Sequence, residues 1–276
     1  MRARRRPDVL MICAASTLAI MVIATVAWKV AGFGGSAEET VGPRLQPPSA
    51  AWPLGTDTLG RSLMPRVLEG IGTTLVLCAT AVAVSAVLSV LLGMLAGYLG
   101  GAVSEGVSRL VDLVYAFPAL VLAILVSAVL GPGRKAAIIA IVFITIPLMT
   151  RMVRAASRSV AGRDFVTVAR IAGVSTPRIL ATHIAPNIAG TIAIQVSYAL
   201  SVAILVEGGL SFLGYGVQVP SASLGSLVGN GMGQLTTAPW LVIAPGTALV
   251  ASIVSINVIG DALCDRFEPR QTRELS

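Results

Sequence analysis

Residues Gly70 to Ser104 read GIGTTLVLCATAVAVSAVLSVLLGMLAGYLGGAVS, 35 consecutive positions without a charge. A helix needs about 20 apolar residues to cross a hydrocarbon core of roughly 30 Å, because each residue adds about 1.5 Å. The run is therefore long enough for one long or tilted helix whose ends pass beyond the bilayer. Within it Gly93 and Gly97 form a GxxxG pair, the spacing that lets a second helix approach closely. The rest of the chain is of the same material. Of its 276 residues 55% are hydrophobic and 12% charged, and the mean hydropathy is +0.86. A soluble globule carries about 25% charged residues. Too few charges exist here to cover a water-facing surface, so the chain belongs in a membrane.

The other uncharged runs set the expected topology. Val9 to Trp28 supplies 20 residues behind Arg2, Arg4, Arg5 and Arg6. A secretory signal also has a basic start, but its apolar region is about 7–15 residues long and ends in a small-residue cleavage site. A retained first span fits this run better. Lys29 to Glu69, rich in Gly, Pro and acids, reads as an extramembrane segment. Leu113 to Gly133, which contains Phe117-Pro118, is expected to be a third span. Ala136 to Thr150 is a fourth, 15 residues long and completed by Arg151 and Arg154 snorkelling to the interface. A basic segment from Arg151 to Arg178 follows, then a fifth span in Ile179 to Val206. Gly208 to Gly260 is uncharged for 53 residues, too long for one crossing. Its first part, rich in Gly, Ser and Pro, is assigned to a loop, partly re-entrant, and the sixth span to Pro239–Gly260.

The expected fold is thus an all-α integral membrane protein with six transmembrane helices and both termini inside. Residues 1–31 form a tail and first helix, 32–69 an external segment, 70–265 a five-helix membrane domain with an inner loop at about 160–180, and 266–276 a second tail. With this topology 14 of the 20 basic residues lie inside, as the positive-inside rule requires. Arg134 and Lys135 on a short outside turn are the exception. A net charge of +7 and a pI near 10.0 would also suit nucleic acid, but the charges cluster between apolar runs, where they act as topology signals. Arg outnumbers Lys by 18 to 2, a bias expected of a high-GC bacterial genome.

Chemistry within the chain is sparse. Cys13, Cys78 and Cys264 lie far apart in or beside apolar runs, and His183 is the single histidine, so neither a metal site nor a disulfide framework is expected. No G-x-x-x-x-G-K-[ST] phosphate loop occurs. No nucleophile–base pair can be assembled around one His, so the chain is not expected to be an enzyme.

The inner loop is more informative. Phe165, Val168, Ala169 and Ala172 recur at helical spacing, and Gly173 suits the left-handed position after a helix. Ser175-Thr176-Pro177 then reads as the start of another helix. Periodicity alone describes a helix lying on lipid headgroups. The residues from Asp164 to Gly173, followed by Ile179 and Leu180 and by His183-Ile184-Ala185-Pro186-Asn187, carry more. They resemble the E-A-A-x-x-x-G loop and I-x-x-H-I-x-P-N run of ABC-type importer permeases. Thr167, Val168 and Ala169 stand at the E-A-A positions; Thr167 replaces the family's Glu, and Ala185 its usual Leu.

Further matches narrow the resemblance to the C-type permease of dipeptide, oligopeptide and nickel importers. They are Trp52 to Arg61 (WPLGTDTLGR), Gly97 to Gly101, Asp112, Ala116-Phe117-Pro118, Leu130 to Gly133, Glu207 to Val217 (EGGLSFLGYGV), and Asn257 with Gly260 to Leu263 and Asp265 to Arg270. The resemblance implies a type I ABC importer permease fold in a bacterial inner membrane, with N- and C-termini cytoplasmic. It implies partners: a homologous second permease, two cytoplasmic ATPase domains or subunits carrying ATP and Mg, and an extracytoplasmic solute-binding protein. It also implies that Asp164, Phe165, Thr167, Val168, Ala169, Arg170 and Gly173 form a coupling helix against the ATPase, with small Ala169 and Gly173 permitting close docking. Glu207, Ser211 and Phe212 are expected near the point of substrate access, Glu207 either attracting a peptide's cationic N-terminus or facing interfacial water. Short peptides are the expected cargo and nickel or a nickel complex the alternative. A secondary transporter fits less well, because the spans are nearly free of charge and show no repeat.

Overall fold

The computed structural model describes residues 9–31 and 36–267. The expected tail residues Arg2 to Arg6 and the segment 268–276, with Arg270 and Arg273, lie outside the described residues. Ten α-helices are described: α1 (Val9–Ala31), α2 (Leu63–Leu99), α3 (Gly101–Tyr115), α4 (Ala119–Leu130), α5 (Arg134–Ala161), α6 (Asp164–Ile171), α7 (Thr176–Ile179), α8 (Ala185–Phe212), α9 (Leu224–Gly231) and α10 (Trp240–Phe267). Among the described residues five helical runs are long and apolar enough to cross a membrane, namely α1, α2, α5, α10 and the continuous Thr176–Phe212 that joins α7 to α8. The bent pair α3–α4 raises the number to six if it counts as one span.

The α2–α5 pair is the spine. A side chain at Gly93 would meet Val153 Cγ1 at 2.7 Å, and one at Gly97 would meet the Arg154 carbonyl at 2.6 Å. The GxxxG spacing is therefore the seam where the two backbones touch. Farther along the seam, Thr145 Oγ1 donates to Ser85 Oγ at 2.7 Å between buried residues. Small residues give close approach, and a hydroxyl pair supplies a hydrogen bond that lipid cannot. α8 closes the core through Ala199, Ala203, Ile204 and Leu210, packed with Cys78, Ala81, Ala137, Ala140 and Ile141. α1 sits at the edge, with Ala14 its one buried residue.

Three expected boundaries move, each for a local reason. The third span does not run straight through Leu113 to Gly133. Its helices α3 and α4 meet at 86° across Ala116–Pro118. Pro118 has no N–H and disfavours a helical residue before it, so the chain must turn there. The fourth helix does not stop at Thr150 but continues to Ala161, carrying its arginines on helical turns. Arg151 reaches Asp112 at 2.6 Å and lies over the Tyr115 ring at 4.5 Å. The Gly-rich stretch after Glu207 is not all loop: α8 persists to Phe212, and α9 with a 3-10 turn at Met232–Gln234 packs back on α8, α10 and α2.

Candidate functional site

Two motif-bearing regions lie at opposite ends of the bundle. At the end reached by α5, the chain turns through Gly162, and the Arg163 carbonyl accepts from Val166 N and Thr167 N to start α6. α6 seats through Val166, which is fully buried, and Ala169, 8% exposed, on Val153, Val160, Ile179, Leu180 and Ile184. Its last turn closes with Val174 N donating to Ala169 O and Gly173 N to Arg170 O, both at 3.1 Å. This paired hydrogen-bond pattern needs a left-handed residue, and Gly173 supplies it at φ 76°. Nothing lies within 4 Å of a side chain placed at Gly173, so its smallness serves the backbone turn.

The opposite face of α6 is uncovered. Phe165 is exposed, Val168 is 64% exposed and Ile171 82%. Asp164, Thr167 and Arg170 are also exposed, and the Arg170 guanidinium lies 5.1 Å over the Tyr98 ring. The expected apolar face of Phe165, Val168, Ala169 and Ala172 is thus split. Ala169 is a seating residue turned to the bundle, not a docking residue, because it falls one turn from Val166 on the inner face. Ile171, the most exposed of the three large apolar residues on the outer face, stands outside the motif positions.

The H-I-A-P-N run supports α6 from below. Pro186 cannot donate to the carbonyl one turn back, and the helix widens into a π-turn over Leu180–Ile184. Asn187 Nδ2 donates to the His183 carbonyl at 2.7 Å, and the His183 ring stacks on Phe165 with centroids 6.3 Å apart. The motif's histidine is thereby a wall for the Phe165 ring.

At the other end, the G-T-D-T-L-G-R segment is held inward. Asp57 Oδ1 accepts from Leu59 N and Arg61 N at 2.8 and 2.9 Å, while Oδ2 pairs with Arg61 Nε at 2.7 Å. Buried Arg66 lies 3.7 Å from the same oxygen and donates to the Ala37 carbonyl. Thr56 bonds Pro43 O and Gln46 N, and Trp240 Nε1 donates to Thr56 O, fastening the segment to the start of α10.

Glu207 is 0% exposed. Its Oε1 accepts from Ser211 Oγ at 2.6 Å and its Oε2 from Thr74 Oγ1 at 3.1 Å. Thr74 Oγ1 in turn accepts from Leu224 N, and Ser211 Oγ from Val217 N. One carboxylate therefore joins α2, α8, the turn after α8 and the start of α9. Neither expected exposed role of Glu207, toward substrate or toward interfacial water, matches this placement. It lies more than a turn inside α8 rather than at the helix end. Ser211 is buried with it, and Phe212 alone of the three is exposed. Among the described residues no group of three His, Cys, Asp or Glu side chains could hold a metal.

One polar pair went unnoticed in the sequence. Gln195 and Tyr198, one turn apart near the midpoint of α8, line a shallow cavity with Ile144, Leu148 and Met149 of α5. Polar residues at mid-membrane depth face a polar path or a partner, which could have marked them inside the apolar run.

Residues 89–273 match the family described as binding-protein-dependent transport system inner membrane component. The Di/tripeptide transport system permease protein DppC of Pseudomonas aeruginosa is 36% identical, over 82% of this chain and 77% of its own length. The Oligopeptide transport system permease protein OppC of Mycobacterium tuberculosis is 33% identical, over 82% and 78%. A chain of the MetNI methionine ABC transporter, solved in inward-facing conformations, superposes with a TM-score of 0.62 at 17% identity, over 75% of this chain and 98% of that one. The likeness shows a type I ABC importer permease fold over that share of the chain. By sequence and by fold, the chain belongs to the binding-protein-dependent transport system inner membrane components, a family of bacterial inner-membrane permeases.

Proposed function

We propose that this chain forms half of the translocation pathway of an ATP-driven importer of short peptides. A homologous second permease supplies the other half. Two cytoplasmic ATPase domains carry ATP and Mg, and an external solute-binding protein delivers the cargo. The observation that carries the coupling role is the outer face of α6. Phe165, Val168 and Ile171 lie uncovered on a helix whose other face is locked to the bundle and whose end is locked by Gly173. An apolar face on a rigid seat can pass a displacement of the ATPase into α5 and α8, where a flexible loop would absorb it. Thr167 at the usual Glu position leaves that contact without the family's carboxylate.

The peptide cargo is supported by the names of the dipeptide and oligopeptide relatives. Gln195 and Tyr198 line the cavity between α5 and α8, and an uncharged amide and a phenol there can hydrogen-bond a peptide backbone without a fixed charge that would retain it. The test is reconstitution with the companion subunits in proteoliposomes. Labelled di- and tripeptides should accumulate only with ATP and binding protein. Accumulation without ATP, ATP hydrolysis by this chain alone, or uptake confined to nickel would overturn the reading.

A further inference from the structure

A second site lies beside the coupling helix. Ala96 to Tyr98 at the end of α2, Gly100 to Glu105 at the start of α3, the last turns of α5 and Arg170 of α6 enclose an open cavity of about 650 Å³. At roughly 30 Å³ per water, this is room for about twenty waters, far more than a single ion needs. Arg154, Arg158 and Arg170 line it. Arg154 Nε donates to Ser104 Oγ at 2.8 Å, which leaves its two terminal nitrogens available. Arg170 is held over Tyr98, and among the described residues none of these arginines has a carboxylate partner. The one acid on the wall, Glu105, is already paired with Arg109. Uncapped α3 also starts here, and its first amides add to the positive potential.

The setting distinguishes a lipid from a soluble anion. From Ser104 to Tyr115 the α3 axis advances about 16 Å, whereas its partners on α5, Arg154 and Arg151, lie about 4.5 Å apart along that helix. α3 therefore runs across α5, and it turns by 86° into α4. Its outer residues Val103, Leu110 and Leu113 are exposed and apolar. An amphipathic α3 with this exposed apolar face, crossing α5 beside the arginine cavity, has the build of an interfacial helix. Basic pockets between membrane helices on the cytoplasmic side suit phosphate headgroups.

We propose that this cavity binds the phosphate of an anionic phospholipid of the inner leaflet, and that Arg154 and Arg158 are its principal ligands. Because Arg170 sits on α6, the bound headgroup bridges the bilayer to the coupling helix.

The experiment uses the assembled transporter in phosphatidylcholine nanodiscs doped with labelled phosphatidylglycerol or cardiolipin. Arg158→Gln should weaken retention of the labelled lipid about fivefold, and Arg154→Gln with Arg158→Gln more than tenfold, in line with the usual effect per basic residue near a charged surface. Arg178→Gln, the same charge loss on the same side but off the cavity wall, should leave retention unchanged. If the double variant does not assemble, Arg158→Gln alone decides, since that side chain makes no contact the fold depends on. Equal loss in all three variants would show general charge attraction and overturn the proposal. So would displacement of the lipid by millimolar inorganic phosphate, which would make this a soluble-anion site. Lipid binding to the isolated permease that vanishes on adding the ATPases would also overturn it, by assigning the arginines to an acidic protein surface.

Discussion

The two ends of the bundle are equally rich in motifs, yet they use them in opposite ways. At the outer end nearly every polar group of the motif is satisfied within the chain: Asp57 by two amides and two arginines, Thr56 by Pro43 and Gln46, Glu207 by Thr74 and Ser211. At the inner end, α6 satisfies its backbone and half its apolar surface, then leaves Phe165, Val168 and Ile171 largely uncovered. Buried, completed hydrogen-bond networks hold a shape. Under the proposed coupling role, the apolar face left open on the firmly seated α6 is a docking surface for the ATPase. On that proposal, the difference separates motifs that build the scaffold from the one that docks a partner, which motif strength alone does not do.

If that division holds, substitutions should separate stability from association. The largest stability loss is expected at Asp57→Ala, which removes the turn's acceptor and leaves Arg66 buried without its charge partner. A cost of about 3 kcal/mol is expected, at the lower end for broken buried pairs because the site is not fully dry. Thermal unfolding of the purified permease in detergent measures it, and an unchanged midpoint would remove the outer motif from the scaffold.

Next is Ala169→Trp. The indole must enter the seat of α6 rather than the docking face, so overpacking of about 1–3 kcal/mol should appear as faster hydrogen exchange over 160–180. Full protection there together with lost ATPase binding would mean that Ala169 faces outward. Glu207→Gln keeps the shape but replaces one acceptor by a donor, with a loss of about 1 kcal/mol. Because Glu207 is fully buried, uptake of free and N-acetylated peptides should fall by the same factor. A selective loss for free peptides would place the carboxylate on the substrate's route. The smallest stability effect, within about 0.5 kcal/mol, is expected for Val168→Asp and Ile171→Asp on the uncovered face.

Much of this was legible from one-dimensional patterns. The apolar runs located the spans, and Gly93 and Gly97 marked a close helix contact without naming its partner, because both depend on period and size alone. Gly173 was legible as a helix stop for the same reason. The break at Phe117-Pro118 was visible as a proline, but an apolar run cannot say whether proline bends a span or is absorbed in it. Pro147 and Pro245 are absorbed within α5 and α10, whereas Pro118 marks a bend of 86°. The role of Glu207 was illegible because Thr74 is 133 residues away, and only folding brings the two together. The split of α6 into an inner and an outer face was missed for a related reason. Both faces are apolar, so periodicity could not say which one the bundle covers.

The claim that α6 divides into a seat and a docking face is tested most directly by the affinity of the purified permease for its ATPase, wild type against Ile171→Asp, with unfolding midpoints taken on the same samples. The expected result is ATPase association weakened more than tenfold, about 1.4 kcal/mol or more, with the unfolding midpoint unmoved. Undiminished ATPase affinity in Ile171→Asp, or a midpoint lowered as far as in Asp57→Ala, would contradict it.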